Sequence, residues 1–279
     1  MKADTKDIGI LGFGAMGSAI AERLPSVYTL WTFDKDKNKT QNLTGIQSAA
    51  SPVDLVHTVG TLILAVKPQD FDTTLSEIKG TVIKKLIISI AAGIPTGYIE
   101  KFLGDVRVIR VMPNMPAKIG EGVSCLCKGK FAKDEDLLFS QELFDRLGKT
   151  LILNEKMMNA ATAVSGSGPG YYFDIIERNR QAYEKEPQRL LNDFIASLSQ
   201  AAEGIGFSRA QAKFLAENTA KGSQKYLTTT GISPDEAKKQ IISKGGTTEA
   251  GLEALHRTGS LEEALKAAVA RAEKLAKKE

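Results

Sequence analysis

The sequence predicts an α/β chain, with an N-terminal parallel sheet crossed by helices and an all-helical C-terminal half. Three observations predict it. An apolar run, a glycine turn and a helix follow one another at residues 8–24. Apolar runs at 61–66, 86–93 and 106–112 then alternate with helical segments, as right-handed βαβ units require. From Asn159 onward such runs vanish, and Ala, Leu, Glu, Gln and Lys recur at helical spacing.

The first strand, Ile8-Gly9-Ile10-Leu11, leads into Gly12-Phe13-Gly14-Ala15-Met16-Gly17. Gly12, Gly14 and Gly17 fit the G-x-G-x-x-G spacing of a dinucleotide-binding turn. The first permits a tight turn, the second lets a pyrophosphate approach the backbone, and the third lets helix and strand pack closely. The helix that follows offers free N–H groups and a positive dipole end to an anion. The bland alternative is a plain structural turn. The strand-turn-helix context favours a Rossmann-type nucleotide domain.

Pro25 breaks the first helix. Residues 28–33 read as a second strand ending on Asp34, an acid placed to accept from an adenosine ribose. A 2′-phosphate ~4 Å from that carboxylate meets roughly 4 kcal/mol of repulsion at an effective dielectric near 20. Lys35, Lys37 and Lys39 follow, and exposed pairs with them are worth about 0–1 kcal/mol each. NADH is favoured if Asp34 points inward, NADPH if it turns out; the sequence leaves both open. The continuous apolar run at 61–66 reads as a strand buried on both faces, with 86–93 a second such strand and 106–112 a third. Their ends, Lys67-Pro68, Ala91-Ala92-Gly93 and Pro113-Asn114, are expected at one crevice, because ligands sit outside the carboxyl ends of such strands. Residues 123–127 and 150–153 read as edge strands around a helix at 134–147.

The chain has 279 residues, read as a dinucleotide-binding domain at 1–154 and a helical substrate-binding and dimerisation domain at 155–279. Good helices are expected at 197–205, 209–226, 234–242 and 261–277, with Ser208 and Ser233 as N-caps. Lys plus Arg is 37 and Asp plus Glu 33, a balance that argues against a nucleic-acid partner. The basic tail at 271–278 reads as a solvated helix face. Cys125 and Cys127 share a strand face, a poor disulfide geometry, so a reducing cytoplasm is the simpler reading. His57 and His256 lack ligand spacing, so no metal is expected. The start, Met1-Lys2-Ala3-Asp4, is not an apolar signal segment, and no run reaches membrane-spanning length.

Two glycine-rich stretches interrupt the helical half. In Ser165-Gly166-Ser167-Gly168-Pro169-Gly170, small residues precede a helix, as either a packing notch or a close approach to a ligand. In Ser243-Lys244-Gly245-Gly246-Thr247-Thr248, a Gly-Gly turn opens a helix. Its N–H groups would bind a carboxylate, worth up to ~2 kcal/mol when partly buried. The Thr247 and Thr248 hydroxyls would donate or accept nearby. The alternative is a simple Thr N-cap.

Five motifs in this order, the glycine turn, Ala65-Val66-Lys67-Pro68-Gln69, Arg110-Val111-Met112-Pro113-Asn114, Ser165-Gly166-Ser167-Gly168-Pro169 and Gly245-Gly246-Thr247-Thr248-Glu249-Ala250-Gly251, resemble pyrroline-5-carboxylate reductase. The resemblance implies reduction of 1-pyrroline-5-carboxylate to L-proline with NADPH or NADH, and a C-terminal domain that dimerises, often building a larger ring. It implies that Gly12, Phe13, Gly14, Ala15, Met16 and Gly17 cradle the pyrophosphate. Ala65, Val66, Lys67, Pro68, Ala91 and Ala92 would line the nucleotide and nicotinamide. Ser243, Gly246, Thr247 and Thr248 would hold the substrate, with Thr248 orienting the ring nitrogen. Lys244 stands where the family usually has proline, Met115 where it has threonine and Asn159 where it has aspartate. The region 178–194 is longer than usual, as an extended helix or a hairpin. The rival readings are a β-hydroxyacid dehydrogenase-like reductase, which needs a lysine that Pro169–Asp174 lacks, and a non-catalytic nucleotide-binding relative.

Overall fold

A computed structural model of the chain describes residues 7–24 and 26–276. Pro25, Met1-Lys2-Ala3-Asp4 and the last residues of the expected basic tail lie outside the described residues. In chain order the elements are β1 (Asp7–Leu11), α1 (Ala15–Arg23), β2 (Thr29–Phe33), β3 (Ile46–Ser48), α2 (Pro52–Thr58), β4 (Thr61–Leu64) and α3 (Phe71–Ile78). Then come β5 (Leu86–Ser89), α4 (Thr96–Leu103), β6 (Arg107–Met112), β7 (Gly122–Lys128), α5 (Asp134–Asp145) and β8 (Gly148–Ile152). Helices follow: α6 (Met158–Ala161), α7 (Gly168–Arg178), α8 (Arg180–Lys185), α9 (Pro187–Gly204), α10 (Arg209–Thr230), α11 (Pro234–Ile241), α12 (Thr247–Thr258) and α13 (Leu261–Leu275).

The sheet order is β3-β2-β1-β4-β5-β6-β7-β8, and the pairs from β3 through to β6 are parallel. Chain order reverses direction beside β1, where β2 lies on one side and β4 on the other. That reversal opens a crevice beyond the carboxyl ends of the strands. Residues in β4 and β5 are fully buried on both faces, which is why these runs are uniformly apolar. Leu62, Leu64, Ile87 and Val108 pack with Leu55, Phe71, Leu75 and Ile99 of α2, α3 and α4.

Two expectations are corrected. β7 is not an edge strand. It lies between β6 and β8 and is buried from Gly122 through Cys127, and β8 takes the edge. The segment 178–194 is neither a helix extension nor a hairpin. α7 stops at Arg178, the short exposed α8 follows, and Pro187 begins α9. β3, three residues long, is an additional strand. Cys125 and Cys127 are buried and not joined by a disulfide, and burial pushes the Cys125 thiol up to about 12.

By internal packing the chain forms two compact units. One holds the residues up to Val111 with Leu126–Arg146; the other holds Met112–Cys125 with Leu147–Leu275. The second unit thus draws residues from both sides of the expected cut at 154/155. Its helices are capped as the sequence indicates: Ser208 and Ser233 each accept from a backbone N–H three residues on, within capping boxes.

A cluster of polar side chains around buried Asp174 ties three helices of this unit. Asp174 of α7 accepts from Lys238 of α11 at 2.9 Å and meets His256 Nε2 of α12 at 2.8 Å. His256 is therefore a satisfied structural histidine. Burial pulls the Asp174 pKa up, but the hydrogen bonds from Lys238 and His256 outweigh it and hold the carboxyl below its ordinary value. A depressed carboxyl stabilises the fold above its unfolded pKa, near 3.9, and the gain disappears as pH falls through the folded value. Asp174→Asn is therefore expected to cost about 2–3 kcal/mol at pH 7. In urea titrations the gap from the parent protein should narrow below about pH 4. A gap that persists unchanged at pH 3 would place the loss in packing instead.

Candidate active site

In the nucleotide unit, β1 delivers the chain to the switch point and Gly12 turns it. Gly12 has φ +97°, and a Cβ there would lie 2.8 Å from the Ala65 carbonyl. Its N–H donates to the Phe33 carbonyl at 2.8 Å, which stitches the turn to the end of β2. A Cβ on Gly17 would lie 2.2 Å from the Gly12 carbonyl oxygen, so α1 can approach the turn only because side chains are missing. At Gly14 a Cβ would meet nothing within 4 Å. The space above the middle glycine is open, and Gly14 caps α1 without a side-chain partner. These are the three roles that the spacing predicts, and they fit a pyrophosphate.

The crevice has a volume of about 530 Å³. Gly12, Gly14, Asp34, Ala65, Val66 and Lys67 line it. Phe13, Ala15, Met16, Gly17, Pro68, Ala91 and Ala92 do not. Phe13 acts through its backbone, donating its N–H to Asp34 Oδ2 at 2.7 Å. Ala91 is buried in the core cluster behind the sheet. The common crevice expected for three strand ends is also corrected at Asn114. Its amide is used internally in the helical unit, donating to the Ser165 carbonyl at 3.2 Å and accepting from Val123 N–H at 2.8 Å. Asp70, Thr73, Thr74 and Glu77 form a wall that the sequence did not reveal, because they read as the polar face of an amphipathic helix.

In the helical unit, the chain winds as a wide π turn over Thr162–Gly166, closed by Ser167 N–H to the Thr162 carbonyl at 2.9 Å. The turn leads Ser167 and Pro169 into α7. Ser167 is fully buried, and three hydroxyls converge there. Thr248 donates to Ser167 Oγ at 3.0 Å, and Thr247 Oγ1 lies 3.2 Å from the same atom. The Thr N-cap alternative is thereby overturned: Gly246 is the cap residue of α12, and neither threonine caps it. A Cβ on Gly170 would lie 2.7 Å from Thr248 Cγ2, so the notch in α7 is what admits the threonine. The Tyr171 hydroxyl is buried beside this group with no hydrogen-bond partner among the described residues. Burial pushes its pKa up, and Ser167 pulls weakly the other way.

The turn before α12 is clamped. Gly245 N–H donates to Glu249 at 2.6 Å, Arg271 of α13 donates to the Gly245 carbonyl at 2.6 Å, and Gly246 N–H donates to the Ser243 carbonyl at 2.8 Å. Gly245 adopts φ +69°, the left-handed conformation that glycine tolerates. Lys244 and Ser243 are exposed, so the substitution of lysine for proline leaves the turn intact and adds a solvent-facing cation. Glu249 did not stand out in the sequence, and Arg271, expected on the solvated face of the basic tail, is instead brought to the Gly245 carbonyl by the tertiary return of α13.

Comparison with known proteins covers both units. Residues 191–278 match the family model described as pyrroline-5-carboxylate reductase dimerisation, and residues 7–93 match that described as NADP oxidoreductase, coenzyme F420-dependent. A pyrroline-5-carboxylate reductase of Methanosarcina acetivorans is 34% identical over 269 residues, covering 92% of each chain. One from Arabidopsis thaliana is 31% identical, covering 98% of this chain and 95% of its own. Among solved structures, the Plasmodium falciparum pyrroline carboxylate reductase with NADP bound superposes with a TM-score of 0.61 at 28% identity, covering 97% and 99% of the chains. The Coxiella burnetii pyrroline-5-carboxylate reductase gives 0.65 at 27%, covering 99% and 100%. With relatives at 34% and 31% identity covered over nearly their whole length, the chain belongs to the pyrroline-5-carboxylate reductase family.

Proposed function

We propose that the chain reduces 1-pyrroline-5-carboxylate to L-proline with a reduced nicotinamide dinucleotide, the last step of proline biosynthesis. The observation that carries this reading is alignment with the named reductases across nearly the whole of both chains, so the nucleotide turn and the acid-binding turn are both represented. When bound, the reduced nicotinamide supplies a hydride to the imine carbon. The chain's own residues bind and orient. N–H groups at the start of α12 take the substrate carboxylate. The Thr248 hydroxyl donates its hydrogen bond to Ser167, which leaves the Thr248 oxygen lone pairs free to accept from the ring N–H of a protonated imine. Hydride arrival at carbon then needs no strong acid, because the nitrogen is already protonated; the bond electrons settle on nitrogen as the neutral amine. Placement accounts for the protein's part.

Gly12, Gly14, Asp34, Ala65, Val66 and Lys67 are proposed as the nucleotide contacts, and Ser243, Gly246, Thr247 and Thr248 as the substrate contacts. The nucleotide domain and the helical substrate domain meet in the sequence near residue 155 in this reading. Dimerisation through residues 191–278 follows the family model, and assembly into a ring is the further step proposed. Small-molecule partners rather than nucleic acid suit the nearly balanced charge. Among the described residues no helix is long and apolar enough to cross a membrane. Buried thiols not joined by a disulfide support a reducing cytoplasm. Loss of absorbance of the reduced cofactor on adding 1-pyrroline-5-carboxylate, with proline as product, is the expected result. Tight nucleotide binding without cofactor oxidation would favour the non-catalytic reading.

A further inference from the structure

We infer that Asp34 makes NADH, not NADPH, the preferred reductant of this protein. The inference rests on the nucleotide reading of the crevice. The sequence leaves the direction of this carboxylate open; the structure turns it inward. Asp34 is only 8% exposed. Its Oδ2 accepts the Phe13 N–H of the glycine turn at 2.7 Å. Its Oδ1 accepts the Asp36 N–H at 2.9 Å and faces Lys39 Nζ at 3.4 Å. The side chain is thus held from two backbone directions and cannot swing to solvent without orphaning both donors. Burial would raise its pKa, yet the Asp36 and Phe13 N–H groups and Lys39 hold it below the ordinary value. It is a fixed anion on the wall of the crevice, beside Gly12 and Gly14.

A carboxylate oxygen has two lone pairs, and Oδ2 spends one on Phe13. The other is available to a ribose hydroxyl, which donates. A 2′-phosphate has only acceptors and brings negative charge against negative charge. Two of the lysines that might compensate are already committed. Lys35 is paired with Asp70 at 2.9 Å, and Lys39 with Asp34 itself. Both are exposed, so their pull on a phosphate is screened by water and salt, whereas the Asp34 charge is not. The crevice wall carries Lys35, Lys39 and Lys67 against Asp34, Asp70 and Glu77, which leaves no surplus positive charge for a phosphate.

The test is calorimetric titration of the whole protein with NADH and with NADPH, without substrate. The parent protein is expected to bind NADH at least ~30-fold more tightly. Asp34→Ser, which keeps a hydroxyl for the ribose and removes the charge, should bring the two affinities within a few-fold, chiefly by gain of NADPH. Equal affinities in the parent protein, or tighter NADPH, would overturn the inference even if the variant failed to fold. So would an unchanged ratio in a variant that melts like the parent. If neither nucleotide binds, the reading of the crevice falls and the inference with it. If proline forms readily with either cofactor at equal affinity, only the role of Asp34 falls.

Discussion

Gly14→Ala is expected to leave the protein folded and to remove most of its affinity for a dinucleotide, by roughly 100-fold or about 2.7 kcal/mol. The added methyl touches nothing within 4 Å, and the backbone there is ordinary, φ −82° and ψ −166°. The folding cost is that of alanine at a helix N-cap, about 0.5 kcal/mol. The same methyl occupies the space through which a pyrophosphate would reach the N–H groups of α1. Gly12→Ala is the contrasting change. It places a side chain on a residue with φ +97° and 2.8 Å from the Ala65 backbone. The dihedral alone costs roughly 1–3 kcal/mol, and neither backbone can yield without breaking the β1–β4 pairing. That variant should lose several degrees of melting temperature as well as binding, at roughly 2–4 °C per kcal/mol for a chain of this size. Melting curves beside calorimetry separate the two. A Gly14→Ala protein that binds NADH normally would show that the open space is not where the phosphates lie.

Thr248→Ala should lower kcat roughly 10- to 100-fold with little change in NADH affinity, because it misplaces the reacting nitrogen rather than the cofactor. Thr248→Ser keeps the hydroxyl that donates to Ser167 and should recover most of the rate. The methyl contact with Gly170 is lost in both variants, so the pair separates packing from orientation. Steady-state kinetics with 1-pyrroline-5-carboxylate provide the check. Equal impairment of the alanine and serine variants would reassign Thr248 to packing, and a large loss of NADH affinity at normal turnover would move it to the cofactor.

The parallel sheet was legible because β4, β5 and β6 are largely covered on both faces, so their runs are chiefly apolar, although β6 carries Arg107 and Arg110. β3 was not, since its three residues, Ile46–Ser48, are mostly exposed and mimic a loop. β7 carries Gly122 and Ser124 among its apolar residues, which reads as an edge although it is buried. The glycine turn was legible in its local geometry, the tight turn at Gly12 and the close helix approach at Gly17, because spacing alone sets them. The direction of Asp34 was not, because its partner Phe13 lies 21 residues earlier and becomes adjacent only through strand pairing. Asp174 was missed for the same reason: Lys238 and His256 lie 64 and 82 residues away. Thr247 and Thr248 were recognised as a pair of hydroxyls, but Ser167, the atom they share, sits on the other glycine stretch, and nothing in either run links the two.

The wide turn at Thr162–Gly166 takes up one residue more than an α-helical turn. Each residue of a π turn advances the chain by about 80° where an α-helical one advances it by about 100°, so five of the former rotate it about as far as four of the latter. Loss of one of those five residues would let the segment rewind as ordinary α-helix, with Ser167 close to its present heading. The aim of Ser167 at both threonines therefore tolerates a change of length here that a regular helix would not absorb.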